Sequence, residues 1–103
     1  MASRPPQIVI DDLRRRDLLE LIEEVAARRG VLVDHLCGTA RTLSVSRARQ
    51  EAWWRMRRHP ERCCSLFEIA RRFGRHHTTV MAGVTAHART LEPDAVPSAT
   101  RSR

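Results

Sequence analysis

SLFEIARRFGRHHTTV, residues 65–80, is the stretch that decides the fold, because it encodes one helix, a glycine turn and the start of a second helix. Ser65, with Glu68 three residues later, forms the reciprocal cap that begins a helix. Gly74 supplies the backbone freedom that ends this helix. A buried helix face is predicted by apolar side chains at the spacing i, i+3, i+4 and i+7, which are Leu66, Ile69, Ala70 and Phe73.

A second helix is expected to begin between His76 and Thr78. Two short helices joined by a glycine turn form a helix-turn-helix, whose second helix normally lies in the major groove of DNA with its first residues on base edges. The side chains expected to face inward from this second helix are Val80, Met81, Val84 and either His87 or Ala88.

The rest of the chain also predicts helices and loops. No segment alternates apolar and polar residues over the length of a strand, so the fold class is all-α. We expect, in chain order, a flexible segment over residues 1–10, a domain over residues 11–91 and a disordered tail over residues 92–103. Within the domain we expect a helix from Asp12 to Arg29 ended by Gly30, a helical turn at Asp34–Cys37, a loop over residues 38–43, and a long helix capped by Ser44 or Ser46 and stopped by Pro60.

Positive charge is concentrated in the half of the chain that contains the helix-turn-helix. The 103 residues have a formal charge of +7. Residues 1–40 hold 6 Arg and 7 acidic residues, whereas residues 41–91 hold 11 Arg and 3 acidic residues, a net charge of +8. Such asymmetry is typical of a surface that meets nucleic acid. The length suffices for one helical core but not for a separate catalytic domain.

Three segments resemble the C-terminal DNA-binding domain of the bacterial replication initiator DnaA. The run Gly74-Arg75-His76-His77-Thr78-Thr79-Val80 resembles that family's signature Gly-Arg-Asp-His-Thr-Thr-Val. Residues 45–50, VSRARQ, resemble the start of its central helix, and residues 25–36 resemble its first short helices. The ATP-binding motif Gly-x-x-x-x-Gly-Lys-Ser/Thr does not occur in the sequence. The resemblance implies a stand-alone domain of about five helices in the Trp-repressor-like superfamily, of a kind found in small bacterial or prophage regulators.

The resemblance also implies which residues contact DNA. Recognition residues carry over onto Arg75, His77, Thr78 and Thr79, with His76 beside them. Arg can fork onto a guanine edge, Thr can offer a methyl group or a hydroxyl, and His can donate from a ring nitrogen. Contacts to the DNA backbone are expected from Arg41, Arg47, Arg49, Arg71 and Arg72.

Several of these residues have simpler interpretations. The Arg residues of the long helix could form a solvated face. His77 could cap the second helix without contacting a base. Trp53 and Trp54 could stack on bases, although in a duplex-binding domain at least one is expected in the core and the other half-exposed.

Three departures from the family pattern affect specificity. His76 stands where the family has Asp, so the preferred DNA sequence is expected to differ from the initiator's own site. One residue fewer separates Phe73 from Gly74 than in the family, which could rotate the second helix. The loop over residues 38–43 retains only Arg41, and Leu43 stands where a basic residue is expected. Minor-groove contact is therefore expected to be weak.

Metal, cofactor and enzymatic functions are not favoured by the sequence. The residues Cys37, Cys63 and Cys64 and the five His contain no Cys-x2-Cys pair or matched His pair. No orienting group accompanies the His and Thr residues that could imitate a catalytic pair. The apolar runs are too short for a membrane span or a signal peptide, so we expect a cytoplasmic protein on the bacterial nucleoid.

The sequence thus predicts a protein without cofactor or metal that binds double-stranded DNA with sequence preference, in replication control or transcription. A rival hypothesis is an adaptor that keeps the fold, binds DNA weakly and contacts replication proteins through the acidic first helix. The carboxylates that favour this rival are Glu20, Glu23 and Glu24. The oligomeric state and the target sequence are left open.

Overall fold

The computed structural model describes residues 5–91, which are all-helical. This confirms the all-α class. No strand occurs in that range, and its helices number six rather than about five. They are α1 (Pro6–Arg15), α2 (Leu19–Arg29), α3 (Val33–Cys37), α4 (Leu43–Arg57), α5 (Leu66–Phe73) and α6 (His77–Thr90).

The first helix begins earlier than the sequence predicted. Residues 6–10, expected to be flexible, form the start of α1. Pro6 stands at the first helical position, where its missing N–H removes no hydrogen bond. Val9 and Ile10 are buried in the core, which stabilises the helix. The disordered tail expected over residues 92–103 lies outside the described residues.

The single helix predicted from Asp12 to Arg29 is broken at Asp17. Asp17 adopts a left-handed conformation with φ 61°. The Leu18 N–H donates to Leu13 O at 2.9 Å, and the Asp17 N–H donates to Arg14 O at 3.2 Å. This pair of bonds is the Schellman motif that ends a helix, usually with glycine at the left-handed position. The chain therefore turns at Asp17, and Leu13 and Leu18 are both buried beside the turn.

Helix ends elsewhere follow the sequence more closely. Gly30 ends α2 in a left-handed conformation with φ 69°, as predicted. The long helix α4 is capped by Thr42, whose Oγ1 accepts from the Val45 N–H at 3.3 Å. The predicted caps Ser44 and Ser46 were therefore wrong by two to four residues and lie inside the helix. Thr42 has the extended backbone that a cap requires.

Helix α4 is the centre of the fold, since it packs against α2, α3, α5 and α6. Trp53 of α4 is 3% exposed, and its ring meets Phe73 edge to face with centroids 5.8 Å apart. A Cβ at Gly83 of α6 would lie 2.8 Å from Trp53 Cε3, so only glycine permits this approach of α6 to α4. Trp54 is half-buried against His87. The expected division of the two Trp residues, one in the core and one partly exposed, is thus confirmed.

Within residues 5–91, no helix combines the length and the apolar character needed to traverse a lipid bilayer.

Candidate nucleic-acid interface

Helices α5 and α6 form the predicted helix-turn-helix. The Glu68 N–H donates to Ser65 Oγ at 3.1 Å and the Ser65 N–H donates to Glu68 Oε1 at 2.8 Å, so the expected cap is confirmed. Gly74 ends α5 with φ 67°. Ile69, Ala70, Phe73 and Val80 are buried between the helices, whereas Leu66 packs at the edge of the core. Met81 was predicted to face inward but is 47% exposed.

His76 caps the start of α6. Its Nδ1 accepts from the Thr78 N–H at 3.2 Å and lies 2.7 Å from Thr78 Oγ1. Because Nδ1 accepts from this amide, Nε2 is the ring nitrogen that is left to donate. The capping role considered for His77 therefore belongs to His76, and His77 is the first residue of the helix.

Three rings meet at this helix start. His77 lies 4.5 Å from the ring of His76 and 4.5 Å from the ring of Phe67, between centroids. Phe67 of α5 is 64% exposed. Sequence reasoning missed Phe67, although one signal was available, since it lies outside the buried stripe of an otherwise amphipathic helix. An apolar surface ring thus adjoins the residues predicted to read bases.

The polar groups at the start of α6 differ in exposure. His76, Thr78 and Thr79 are exposed, whereas His77 and Arg75 are half-buried. Thr78 and Thr79 also line a cleft of about 860 Å³ between α4 and α6. Among residues 5–91, none that lines the cleft is acidic. Its polar walls are formed by Arg41, Ser46, Arg49, Gln50, Arg75, Thr78 and Thr79. The cleft is therefore suited to an anionic ligand.

The sequence suggests that the Arg75 guanidinium is directed outward toward DNA, but in the structure it is directed toward the loop before α4. Its Nη2 donates to Gly38 O at 2.6 Å, across the cleft from α6. Its Nε is buried and has no hydrogen-bond partner among the described residues. Burial lowers the pKa of Arg75, and the charge of Arg41 lowers it further. Arg75 thus lies at the site but is directed toward the loop before α4.

Arg49 was predicted to contact the DNA backbone, but the structure buries its side chain. It is 5% exposed. Burial lowers the pKa of Arg49 to about 10, with a further contribution from the charge of Arg75. Its guanidinium donates at 2.9–3.0 Å to four carbonyl oxygens, which are those of His35, Leu36, Gly38 and Ala40. Arg49 therefore closes the end of α3 and the following loop, whose carbonyls would otherwise lack partners.

Arg72 is likewise directed into the protein rather than toward a phosphate. It pairs with Asp12 of α1 at 3.2 Å and with Glu68 at 3.9 Å. Burial raises the pKa of Asp12, but the hydrogen bond from Arg72 and the charges of Arg16 and Arg72 outweigh burial and hold this pKa below its usual value. The pair of Arg72 with Asp12 links α5 to α1.

The remaining predicted backbone contacts lie at the surface. Arg41, Arg47 and Arg71 are exposed on the loop before α4, on α4 and on α5. Elsewhere, Glu51 of α4 is buried and pairs with Arg28 and Arg29 of α2, which joins the two helices behind the cleft. Over residues 5–91, no three His, Cys, Asp or Glu side chains lie close enough together to hold a metal ion.

Comparison with known protein families gives one match. The family model described as the bacterial dnaA protein helix-turn-helix matches residues 19–86, about two thirds of the chain. Neither the curated proteins nor the solved structures that were compared match the chain.

Proposed function

Since the chain belongs to the bacterial DnaA helix-turn-helix family, which binds DNA, we propose that it binds double-stranded DNA with sequence preference, in replication-initiation control or transcription. The observation that carries this proposal is the exposed start of α6 beside a cleft whose lining, within the part of the chain that the structure describes, contains no acidic residue. The net charge of +8 on residues 41–91 supports it, because phosphate neutralisation supplies much of the affinity for DNA. Such a protein would act on the nucleoid in the cytoplasm.

Base reading is assigned to the start of α6. With its Nδ1 engaged as the cap, exposed His76 offers its Nε2–H as a donor, which suits N7 or O6 of a purine. The Thr78 hydroxyl is engaged by His76, so Thr78 presents its methyl group, which suits thymine. Thr79 and His77 lie beside them at the start of α6 and are assigned to the same base-reading surface. The family's Asp would instead accept from cytosine, so the preferred site differs from that of the initiator at this base pair.

Backbone contacts are assigned to Arg41, Arg47 and Arg71. All three are exposed. The positive end of the α6 dipole favours a further phosphate contact, because a helix N-terminus attracts anions. These contacts orient the domain on the duplex but carry little sequence information.

Salt titration of duplex binding tests the proposal. Neutralisation of about four to seven phosphates predicts that log Kd rises with log salt with a slope of about 4 to 6. Arg62→Ala provides a control of equal charge loss, since Arg62 pairs with Asp17 and Glu61 away from the cleft. This variant should retain the slope, whereas Arg41→Ala should reduce it by about 1. Binding that does not change with salt would refute the proposal.

Selection from a random duplex library tests the sequence preference. We expect enrichment of sites with a purine opposite His76 and a thymine opposite Thr78. Thr79→Ala serves as a variant that should alter enrichment at one or two base pairs, whereas Arg47→Ala should weaken all sequences alike. If the selection enriches no sequence, the protein binds DNA only non-specifically and the proposed preference is wrong.

A second candidate function is favoured by a groove on the opposite side of α4. This groove of about 840 Å³ is lined by half-buried Trp54, by the carboxylates of Asp17, Glu20, Glu23 and Glu24, and by Arg55 and Arg58. Arg55 pairs with Glu24, and the carboxylates remain in excess. Such a surface suits a basic protein segment, as expected for an adaptor of the replication machinery. A flat salt dependence for DNA, together with a protein partner whose binding is abolished by Glu20→Lys and Glu23→Lys, would favour this function over the first.

A further inference from the structure

The loop between α3 and α4 is joined to the recognition helix through one carbonyl group. Gly38 O accepts from Arg75 Nη2 at 2.6 Å and from Arg49 Nη2 at 3.0 Å. Arg49 also donates to Ala40 O, two residues further along the loop. Arg75, in the turn before α6, and Arg49, in the interior of α4, therefore hold the same short segment, residues 38–40.

The position of Gly38 is fixed from the other side as well. A Cβ at this residue would lie 2.9 Å from Asp34 O and 3.0 Å from Pro6 Cγ. The backbone of Gly38 thus packs directly on α3 and on the start of α1. A carbonyl confined in this way can transmit the position of Arg75 to the residues that follow it in the loop.

Arg41 is the loop residue whose position depends on these contacts to residues 38–40. It is exposed, lies three residues after Gly38, and lines the same cleft as Thr78 and Thr79. Its charge is close enough to lower the pKa of Arg75. Arg41 and Arg75 thus line one cleft, to which residues 5–91 contribute no acidic side chain, and an incoming phosphate would stabilise the two charges.

The orientation of Arg75 argues against direct base reading. A bidentate contact to guanine needs two coplanar N–H donors directed at the groove. In Arg75, Nη2 is engaged by Gly38 O and Nε is buried. The fork that pairs Nε with Nη2 is therefore not available to DNA.

We propose that Arg75 is a positioning residue, which holds the loop over residues 38–42 so that Arg41 contacts the DNA backbone beside Thr78 and Thr79. This inference rests on the proposed DNA-binding function. Arg75 then affects DNA affinity by positioning Arg41, and it does not itself contact a base.

A double-mutant cycle on duplex affinity tests the inference. Arg75→Ala should weaken binding about tenfold in the wild-type background but less than about threefold in the Arg41→Ala background, because coupled residues are not additive. Arg71→Ala replaces Arg41→Ala in a control cycle, where the two losses should multiply. Arg75→Ala should also weaken all selected sequences alike. Independent losses in the Arg41 cycle, or relaxed preference at a single base pair, would overturn the proposal.

Rescue by lysine separates positioning from base reading. Lys can donate one hydrogen bond to Gly38 O, but it cannot reproduce a guanidinium fork. Arg75→Lys should therefore restore affinity to within about threefold of wild type. If Lys were no better than Ala, the positioning role would be wrong.

Hydrogen exchange without DNA tests the contact independently of the proposed function. Arg75→Ala should speed exchange of the Gly38 amide, which donates to His35 O at 3.2 Å, by about tenfold, while exchange in α2 stays unchanged. Unchanged exchange in the loop would refute the contact, even if the protein binds DNA. Faster exchange in a protein that does not bind duplex DNA would sustain the contact and reject the proposed function.

Discussion

At the scale of single residues, Gly83 shows how one missing methyl group sets the place of the recognition helix. Ala at an exposed helix position would stabilise by about 1 kcal/mol relative to Gly. Here a Cβ would lie 2.8 Å from Trp53 Cε3. We expect Gly83→Ala to lower the free energy of unfolding by about 1 to 3 kcal/mol in urea denaturation. Thr85→Ala, on the exposed face of α6, should change it by less than about 0.5 kcal/mol. A more stable Gly83→Ala protein would contradict this packing.

His76 combines a structural and a recognition role in one side chain. We expect His76→Asp to be at least as stable as wild type, because Asp is a good helix cap and its charge favours a helix N-terminus by about 0.3 to 1 kcal/mol. The same change should shift the preference at one base pair toward cytosine in library selection. His76→Ala should instead lose about 1 kcal/mol of stability. Identical selected sites for wild type and His76→Asp would show that this position does not face a base.

Arginine was the residue type whose placement the sequence predicted least well. The polar residues at the start of α6 could be identified because helix periodicity and the family signature both place them there. The burial of Arg49 depends on carbonyl groups of residues 35–40, and the direction of Arg72 depends on Asp12, which is sixty residues away in sequence. Long flexible side chains meet such partners only after the backbone has folded.

At the scale of helices, boundaries were predictable where glycine or a serine–glutamate pair marks them. Gly30, Gly74 and Ser65 belong to this group. The break between α1 and α2 was missed because Asp17, rather than glycine, takes the left-handed conformation. The start of α1 was missed because its burial depends on contacts with α3 and α5, which are distant in sequence.

The strain at Asp17 is itself testable. Asp17→Gly should raise the free energy of unfolding by about 0.5 to 1 kcal/mol, because glycine adopts positive φ without steric cost. The lost ion pair with Arg62 is exposed and should matter little. Asp17→Asn, which keeps the side-chain shape, should leave stability nearly unchanged. Thermal unfolding of the three proteins provides the comparison, and a less stable glycine variant would disprove the strain.

At the scale of the whole molecule, stability should depend on pH through His87, where α2, α4 and α6 meet. His87 is buried and packs on Trp54. Burial lowers its pKa, and the charges of Arg29 and Arg28 lower it further. The unfolded chain takes up a proton below about pH 6.5, whereas the folded chain resists until a lower pH. Stability is therefore complete above about pH 6.5 and falls as the pH drops through the folded pKa.

Urea unfolding at about pH 7.5 and about pH 5.5 measures this dependence. Wild type should be less stable at the lower pH, and His87→Gln should lose less stability between the two conditions. Equal losses in both proteins would assign the effect to other groups.

The ring contacts at the start of α6 have an energetic consequence for association. His77 contacts both Phe67 and His76 in the unbound protein. Side chains that must be immobilised on binding typically cost about 0.5 to 1.5 kcal/mol each in conformational entropy. These contacts restrain the rotamer of His77 before DNA binds, so little of this entropy cost remains to be met on binding. The start of α6 is therefore preorganised for its contact with DNA.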